Sequence, residues 1–484
     1  MSDKRLHDLD TLIIMSISTH TQIDSVLAKT NANQPAGIER LMEFLRIPSV
    51  STDPAFAADV RRAGEWACKM LTECGFESRL VKTHGHPMVL AKHPGPKGVT
   101  APRVLFYGHY DVQPADPIEL WTSPPFEPVI MSGPMGKRVV ARGAVDDKGQ
   151  VMTFFEALRA WHECAGGPPC PVTVLLEGEE ESGSESFEPF LREYAKELEC
   201  DVAIVSDTGM WDIDTPAITT MLRGLVYVEA KLKGPSHDLH SGLYGGAIAN
   251  PINSLARMIA SLHNDDGSIA IEGFYDQVKP LPEKIKSQWD TLDFNDAEFL
   301  GKAGVSKGFG EPGFNAMERT WCRPTCDCNG IKGGYQGEGA KTVIASEATA
   351  KISCRLVADM DPEDAFKKLS AHLQARVPAG YTLEMKTFGK NPPIRVKDES
   401  PYLVAAERGL AKVYGKNPVC IGTGGSIPAV GLLQRILGVE SLLVGFGLDD
   451  DRVHSPNEKF ELSCFRRGAL SHAAILAEIA GLRP

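Results

Sequence analysis

The chain of 484 residues carries 63 acidic and 51 basic side chains, which gives a formal net charge of −12, and 43% of its residues are hydrophobic. At roughly 100 to 200 residues per domain, this length predicts two or three domains with hydrophobic cores. The acidic excess argues against a nucleic-acid partner, which needs clustered Lys and Arg side chains. No window approaches the roughly 18 consecutive apolar residues of a membrane helix.

The 11 cysteines are scattered along the chain. They lack the spacing of a disulfide framework, which favours a reducing compartment. The N-terminal residues also lack the basic start and long apolar stretch of a signal peptide. The sequence therefore predicts a cytoplasmic protein with neither a membrane nor a nucleic acid as a partner.

The first clear element in chain order is a helix over 53–75, where apolar residues recur at helical spacing. Short apolar runs that end in polar residues follow, as is typical of strands buried on both faces. These runs cover 104–107, 172–176, 202–205 and 442–444, with helical patterns at 151–163 and 186–197. Such alternation predicts an α/β fold with a mixed, largely parallel sheet covered by helices, and a ligand site at the carboxyl ends of its strands.

The pattern changes between residues 222 and 390, where polar and apolar residues alternate over 226–232 and 348–356 around a helical run at 250–262. Alternation of this kind indicates an antiparallel sheet with one covered face. The sequence therefore predicts an inserted α+β domain at 222–390. The first domain is then formed from two parts, 1–221 and 391–484.

Five polar clusters carry groups suited to chemistry, and four of them follow predicted strands. They are 108–111, 142–149, 177–183, 206–207 and 453–458. A histidine held by a nearby carboxylate is the usual form of a metal ligand, and many carboxylates after a buried strand need a cation. Each cluster alone also fits a helix cap, a turn or a core histidine. Together they predict a two-metal hydrolase site.

Four motifs then identify a family. Gly-His-Tyr-Asp-Val-Gln-Pro at 108–114, Asp-Asp-Lys-Gly at 146–149, Glu-Glu-Ser-Gly-Ser-Glu at 180–185 and His454-Ser455-x-Asn457-Glu458 resemble the carnosinase and cytosolic non-specific dipeptidase branch of the di-zinc metallopeptidases. Aminoacylase, succinyl-diaminopimelate desuccinylase and carboxypeptidase G are more distant relatives. The resemblance implies a zinc-exopeptidase-like catalytic domain formed by 1–221 and 391–484, with a lid at 222–390 that also forms a homodimer.

The same resemblance implies a ligand set for two Zn²⁺ ions per subunit, with Mn²⁺ or Co²⁺ as substitutes. His109, Asp146 and Asp207 are expected to bind one ion, and Asp146, Glu181 and His454 the other, so that Asp146 bridges them. Asp111 is expected to orient His109. A cis peptide bond is expected between Asp146 and Asp147.

The activity implied is hydrolysis of an amide bond in dipeptides or small peptides by a water that bridges two metal ions, with Glu180 as the general base. His240 of the lid is expected to stabilise the oxyanion from the partner subunit. The expected substrate contacts are Arg355, Gly425, Ser426 and Thr342, the last from the partner chain. Two alternatives remain open: an amidohydrolase acting on N-acyl amino acids, and a catalytically silent dimeric binding protein of the same fold.

Overall fold

A computed structural model describes residues 3–425 and 427–482, with side chains from residue 22 onward. The chain divides into two compact units. The first unit is formed by Met1–Thr220, Val396–Cys420 and Leu432–Pro484, and the second by Met221–Arg395 and Ile421–Gly431. The second unit contains the inserted segment expected from sequence, and it also takes in Ile421–Gly431, which the sequence pattern assigns to the first domain.

Up to the end of β8, the described residues form four α-helices, eight strands and three short 3₁₀ helices, the last at Pro54–Phe56, Ile118–Leu120 and Glu180–Ser182. The helices are α1 Asp3–Leu45, α2 Ala57–Glu73, α3 Lys148–Ala165 and α4 Phe187–Tyr194. The strands are β1 Glu77–Val81, β2 Met88–His93, β3 Val104–His109, β4 Val129–Gly133, β5 Gly136–Val140, β6 Val172–Glu177, β7 Val202–Val205 and β8 Ala217–Leu222.

The middle of the chain contains seven strands and six helices. The strands are β9 Gly224–Lys233, β10 Leu239–His240, β11 Thr325–Gly333, β12 Val343–Ile344, β13 Glu347–Leu356, β14 Thr382–Asn391 and β15 Ile394–Arg395. The helices are α5 Ser241–Tyr244, α6 Pro251–Ala260, α7 Glu283–Trp289, α8 Asp296–Lys302, α9 Ala316–Trp321 and α10 Pro362–Gln374. The last part consists of α11 Pro401–Tyr414, β16 Val419–Thr423, α12 Pro428–Leu432, β17 Glu440–Leu443, β18 Lys459–Glu461 and α13 Leu462–Ala480.

The main sheet has nine strands in the order β1-β2-β6-β3-β7-β17-β8-β15, with β16 paired to β8. Strands β6, β3, β7 and β17 are mutually parallel, and β1, β2, β8 and β15 pair antiparallel. The four apolar runs identified in the sequence are these four parallel strands. The prediction of a mixed, largely parallel sheet is therefore confirmed.

Helices α1, α3, α11 and α13 pack together in the first unit. The ring of Phe154 on α3 stacks on Phe106 of β3, with ring centroids 3.9 Å apart. Arg40 of α1 forms an ion pair with Glu156 of α3, with Nη2 and Oε2 2.6 Å apart. None of the helices in the described part of the chain combines the length and hydropathy needed to span a bilayer.

A small antiparallel sheet of the first unit has the order β18-β5-β4. Val140, the last residue of β5, pairs with Lys459, the first residue of β18. The loop that follows β5 carries Asp146, and the loop that precedes β18 carries His454. This pairing therefore brings together two loops that are far apart in sequence.

The second unit is built on an antiparallel sheet of four strands in the order β11-β13-β9-β14. Burial alternates along β9 and β13, and helices α6 and α10 pack against the buried face. The antiparallel sheet and the α6 helix predicted from sequence are confirmed. A separate ribbon of two short strands pairs β10 with β12.

Two helices of this unit, α6 and α10, begin where the sequence supplies both a cap and a proline. The side chain of Asn250 accepts a hydrogen bond from the N–H of Ile252 before α6, and Asp361 accepts one from Glu363 before α10. In both helices proline occupies the first turn, where its missing N–H costs no helical hydrogen bond.

Candidate metal centre

Three of the five predicted ligands lie at the carboxyl ends of the parallel strands. His109 is the last residue of β3, Glu181 lies in the 3₁₀ turn Glu180–Ser182 after β6, and Asp207 follows β7. Parallel strands end at the same edge of a sheet, so their side chains meet there.

The structure brings all five predicted ligands together in two groups that share Asp146. His109, Asp146 and Asp207 form one group, and Asp146, Glu181 and His454 form the other, with the ligand atoms of each group within 4.8 Å of one another. Oδ1 of Asp146 lies 3.0 Å from Nε2 of His109, and its Oδ2 lies 2.9 Å from Nε2 of His454. The Asp146 carboxylate therefore presents one oxygen to each histidine.

The donor set fits divalent metal ions. Oε1 of Glu181 is buried and has no hydrogen-bond partner among the described residues. Several carboxylates meet the imidazoles of His109 and His454 here, and buried carboxylates need compensating positive charge. Imidazole and carboxylate together are the ligands of Zn²⁺ and of similar divalent metals.

Asp111 holds two parts of the site at once. Its backbone oxygen lies 3.1 Å and its Oδ1 3.4 Å from Nδ1 of His109, which leaves Nε2 facing Asp146. Its carboxylate also accepts hydrogen bonds from the backbone N–H groups of Glu180, at 3.3 Å, and Glu181, at 3.0 Å. The contact expected between Asp111 and His109 is present, and Asp111 additionally fixes the turn that carries the two glutamates.

The pKa values of two ligands, His109 and Asp207, are raised, which favours their protonated forms. Burial lowers the pKa of His109, but hydrogen bonds to Asp111 and Asp146 outweigh it and raise that pKa well above its usual value. Burial, together with the negative charge of Asp146, raises the pKa of Asp207. Metal ions would displace such protons, because they bind neutral imidazole and ionised carboxylate.

Glu180, the predicted general base, lies beside these ligands in the same turn. Burial raises the pKa of Glu180 to about 7, against the opposing charge of His109. Cations bound nearby would lower this value again. A carboxylate with a pKa between its usual value and 7 can both accept and return a proton near neutral pH.

The peptide bond between Asp146 and Asp147 is cis, as expected from the resemblance. Asp147 is fully buried, and its Oδ2 accepts the backbone N–H of His109 at 3.1 Å. The residue that follows the shared ligand therefore also holds the backbone of another ligand. Sequence reasoning gave Asp147 no role.

Gln113 is a second residue of the site that sequence reasoning missed. Its Nε2 donates to Oε2 of Glu181 at 2.7 Å, which leaves Oε1 of Glu181 for a metal. Gln113 belongs to the motif at 108–114, so its position was visible in the sequence. Its role was not, because the contact with Glu181 depends on how two strand ends meet.

His240 and Thr342 lie in the second unit: His240 ends β10 of the β10–β12 ribbon, and Thr342 directly precedes β12. Ser241 donates its N–H to the backbone oxygen of Thr342 at 3.1 Å. Nδ1 of His240 accepts the N–H of Gly242 at 3.0 Å, so the neutral ring carries its proton on Nε2. Both side chains are exposed. The structure thus brings together the two residues that were expected to act from a partner subunit.

Arg355 and Gly425 also lie in the second unit, whereas Ser426 lies outside the described residues. Nε of Arg223, which sequence reasoning missed, donates to the backbone oxygen of Gly424 at 3.2 Å. Burial, together with the positive charge of Arg355, lowers the pKa of Arg223 to about 10. The Arg223 guanidinium therefore contacts the glycine loop, with Arg355 close enough to act on the pKa of Arg223. Neighbouring guanidinium groups suit a carboxylate.

Comparison with known proteins decides the family. The model of peptidase family M20/M25/M40 matches residues 105–478. The chain belongs to this family. The family predicted from the sequence motifs is thereby confirmed.

Relatives of this M20 peptidase include two named dipeptidases. The Cys-Gly metallodipeptidase DUG1 of Saccharomyces cerevisiae is 29% identical over 483 residues, which cover 94% of this chain and 97% of that enzyme. The Beta-Ala-His dipeptidase of Homo sapiens is 31% identical over 385 residues, which cover 78% of this chain and 75% of that enzyme.

A solved structure shares the fold. The M20 family metallo-carboxypeptidase Sso-CP2 from Sulfolobus solfataricus matches with a TM-score of 0.76 at 31% identity, covering 92% of this chain and 99% of that one. The fold class predicted from sequence agrees with these relatives.

Proposed function

We propose that this M20 peptidase hydrolyses the amide bond of dipeptides and other small peptides in a metal-dependent reaction. One observation carries the proposal: the Asp146 carboxylate directs one oxygen toward His109 and the other toward His454, with Glu180 in the adjacent turn. The relatives whose names state dipeptidase activity support the choice of substrate.

The metal complement proposed is two Zn²⁺ ions per subunit, with Mn²⁺ or Co²⁺ as substitutes. His109, Asp146 and Asp207 would hold one ion, and Asp146, Glu181 and His454 the other. When bound, such ions lower the pKa of a water molecule and polarise a carbonyl group. Asp111 and Gln113 keep the ligands His109 and Glu181 in place.

Glu180 performs the proton transfers. Its carboxylate takes the proton from the water that attacks the amide carbon. The same group then delivers this proton to the nitrogen of the leaving amine as the amide bond breaks. The hydrogen bond from the Glu180 N–H to Asp111 keeps the turn in place through both transfers.

The substrate is proposed to bind at its carboxyl end through Arg355, Gly425 and Ser426. Arg355 can grip a carboxylate with two parallel N–H donors. Arg223 supports the glycine loop through its bond to Gly424. This end of the substrate is the one that a free dipeptide always presents as an anion.

The functional assembly is proposed to be a homodimer formed through the lid domain, in which His240 and Thr342 serve the site of the partner subunit. The Nε2–H of His240 would donate a hydrogen bond to the carbonyl oxygen as negative charge develops on that oxygen. Support comes from the position of both residues on one exposed ribbon, next to Leu243 and Tyr244, which are 77% and 44% exposed. Exposed apolar side chains of this size favour a covering surface.

The proposed location is the cytoplasm. All 11 cysteines are free thiols in the structure, and none forms a disulfide. Free thiols persist in a reducing compartment.

The direct test is hydrolysis of a dipeptide panel by the purified chain before and after removal of metal with a chelator. We expect activity to disappear with the metal and to return with added Zn²⁺, Mn²⁺ or Co²⁺. N-acetylated amino acids in the same panel serve as the comparison substrate. Full dipeptide hydrolysis by metal-free protein would contradict the proposal.

A further inference from the structure

The carboxylate of Glu458 lies in the first unit between the loops that carry Asp146 and His454. Its side chain is fully buried and accepts four hydrogen bonds. Oε2 accepts from Nη1 of Arg142 at 2.7 Å and from the N–H of Gly143 at 2.9 Å, and Oε1 accepts from the N–H groups of Val145 at 2.9 Å and Asp146 at 3.1 Å. A single side chain therefore accepts the backbone N–H groups of three residues in the loop that carries the shared ligand Asp146.

Strand pairing places Glu458 beneath that loop. Glu458 is the residue before β18, and the loop begins with Ala141 directly after β5. The N–H of Ala141 donates to the backbone oxygen of Glu458 at 3.1 Å, which continues the ladder between the two strands. The small sheet thus fixes the backbone of Glu458, and the side chain fixes the Asp146 loop.

The loop that carries His454 has an unfavourable backbone. Three of its residues adopt positive φ values: 59° at Arg452, 59° at His454 and 64° at Asn457. These values lie in the left-handed region, which is unfavourable for residues other than glycine. Such a conformation persists only where surrounding contacts enforce it. Asn457 supplies one contact, because its Oδ1 accepts the N–H of Thr122 at 2.7 Å. Glu458 anchors the end of the same loop.

Arg142 extends the connection to a third loop. Besides its bond to Glu458, its Nη2 donates to the backbone oxygen of Pro114 at 3.1 Å. Pro114 closes the motif that begins with Gly108 and contains His109. The buried pair of Glu458 and Arg142 therefore contacts the segments that carry three of the metal ligands.

We propose that Glu458 is a positioning residue that couples Asp146 to His454, so that the shared carboxylate and the imidazole keep the separation that two metal ions require. This inference rests on the proposed function. Glu458 offers no oxygen to a metal, because both of its oxygens are occupied by N–H donors. It acts through the backbone of Asp146 and through the end of the His454 loop.

Replacing Glu458 with glutamine isolates this role. The amide has the same shape, but its NH₂ group would face two N–H donors, which then lose their acceptor while buried. The loop must shift to relieve that contact. Loss of a residue that orients metal ligands typically weakens metal binding by about 10- to 100-fold, which sets the expected effect of Glu458→Gln.

The experiment measures Zn²⁺ binding to the full-length, chelator-stripped chain by titration calorimetry, together with the visible absorption spectrum of the Co²⁺ form. For Glu458→Gln we expect Zn²⁺ affinity about 10- to 100-fold below that of the wild type and an altered Co²⁺ spectrum. The matched control is Glu156→Gln, which makes the same change in the buried ion pair with Arg40, away from the ligands. This control is expected to lower Tm and to leave Zn²⁺ affinity and the Co²⁺ spectrum unchanged.

The possible outcomes separate the inference from the proposed function. If the wild-type chain binds no metal, the proposed function fails. If the wild type binds two ions and Glu458→Gln binds them with equal affinity and an unchanged spectrum, or changes no more than Glu156→Gln does, only the inference is overturned. If Glu458→Gln does not fold, Glu458→Asp replaces it. That variant keeps the charge, but its side chain is one methylene shorter and cannot reach all of the N–H groups of Gly143, Val145 and Asp146. A several-fold affinity loss with an altered spectrum supports the inference, and wild-type binding overturns it.

Discussion

Two predicted site residues of the first unit, His109 and Asp111, differ from two of the second unit, His240 and Thr342, in burial and in hydrogen bonding. His109 and Asp111 are fully buried, and each makes several hydrogen bonds to other parts of the site. His240 and Thr342 are exposed, and the ribbon that carries them has only two paired residues in each strand. Hydrogen bonds within the first unit thus fix the positions of His109 and Asp111, whereas the side chains of His240 and Thr342 remain exposed.

The largest expected effect tests the buried centre. Glu180→Gln should lower kcat by about 10²- to 10⁴-fold, because the amide cannot accept the proton of the attacking water. Metal content, measured by atomic emission, should stay at the wild-type value, since Glu180 is not a ligand. Wild-type turnover by a variant that holds its metal would show that another group is the base.

The next effect tests the exposed ribbon. His240→Ala should lower kcat by about 10²- to 10³-fold, as expected for loss of one oxyanion donor, without changing metal content. Mixing His240→Ala with Glu180→Gln chains should restore activity, because the heterodimer then contains one site with both groups. Absence of any recovery in a mixture shown to contain heterodimers would contradict action across the dimer.

A smaller effect is expected where the substrate carboxylate is proposed to bind. Arg355→Lys removes the planar pair of donors and should raise KM for dipeptides by about 10- to 100-fold, the equivalent of one hydrogen bond to a charged group. Arg223→Lys serves as the comparison, since this residue acts on the glycine loop. Equal KM values for Arg355→Lys and the wild type on a dipeptide panel would show that Arg355 does not bind the substrate carboxylate.

The smallest effect concerns stability and pH, and it compares one histidine from each unit. Burial lowers the pKa of His472 in the first unit to about 3, whereas burial and the charge of Arg376 lower the pKa of His372 in the second unit. A histidine in the unfolded chain has the higher pKa, so it binds a proton at a pH where the buried histidine is still neutral. The free energy of unfolding should therefore decrease below about pH 6.5 by roughly 1 kcal/mol per pH unit.

Denaturant unfolding between pH 7 and pH 5 measures this dependence. His472→Gln should flatten the pH dependence, and His372→Gln should change it less, because His372 keeps 8% of its surface exposed and lies beside Ser261. An identical slope in the wild type and in His472→Gln would show that His472 is not the group responsible.

Much of the fold was predictable because its signals are local. The apolar runs at 104–107 and 202–205 are buried strands, and alternation at 226–232 is a strand with one buried face. Helix ends agree with the predicted ones to within a few residues. The assignment of Ile421–Gly431 to the second unit was not predictable, because no pattern in that segment distinguishes it from the flanking chain.

The ligand residues were predictable as a set, but the residues that hold them in place through hydrogen bonds were not. His109, Asp146 and His454 stand in motifs whose residue types and order point to a metal site. Gln113 and Glu458 stand in the same motifs, yet their contacts depend on which loops meet in space. Arg223 lies outside every motif, and its bond to Gly424 indicates a role.

The sequence by itself determined the chemistry of this protein: a metallopeptidase ligand set and an α/β fold with an inserted antiparallel domain. The tertiary structure alone decided how the ligands are held. Glu458 and Asp146 are 312 positions apart, and the pairing of β5 with β18 brings them together. Residue type and local spacing specify which groups can bind a metal, whereas the contacts that orient those groups arise from strand pairing between distant segments, which no local pattern encodes.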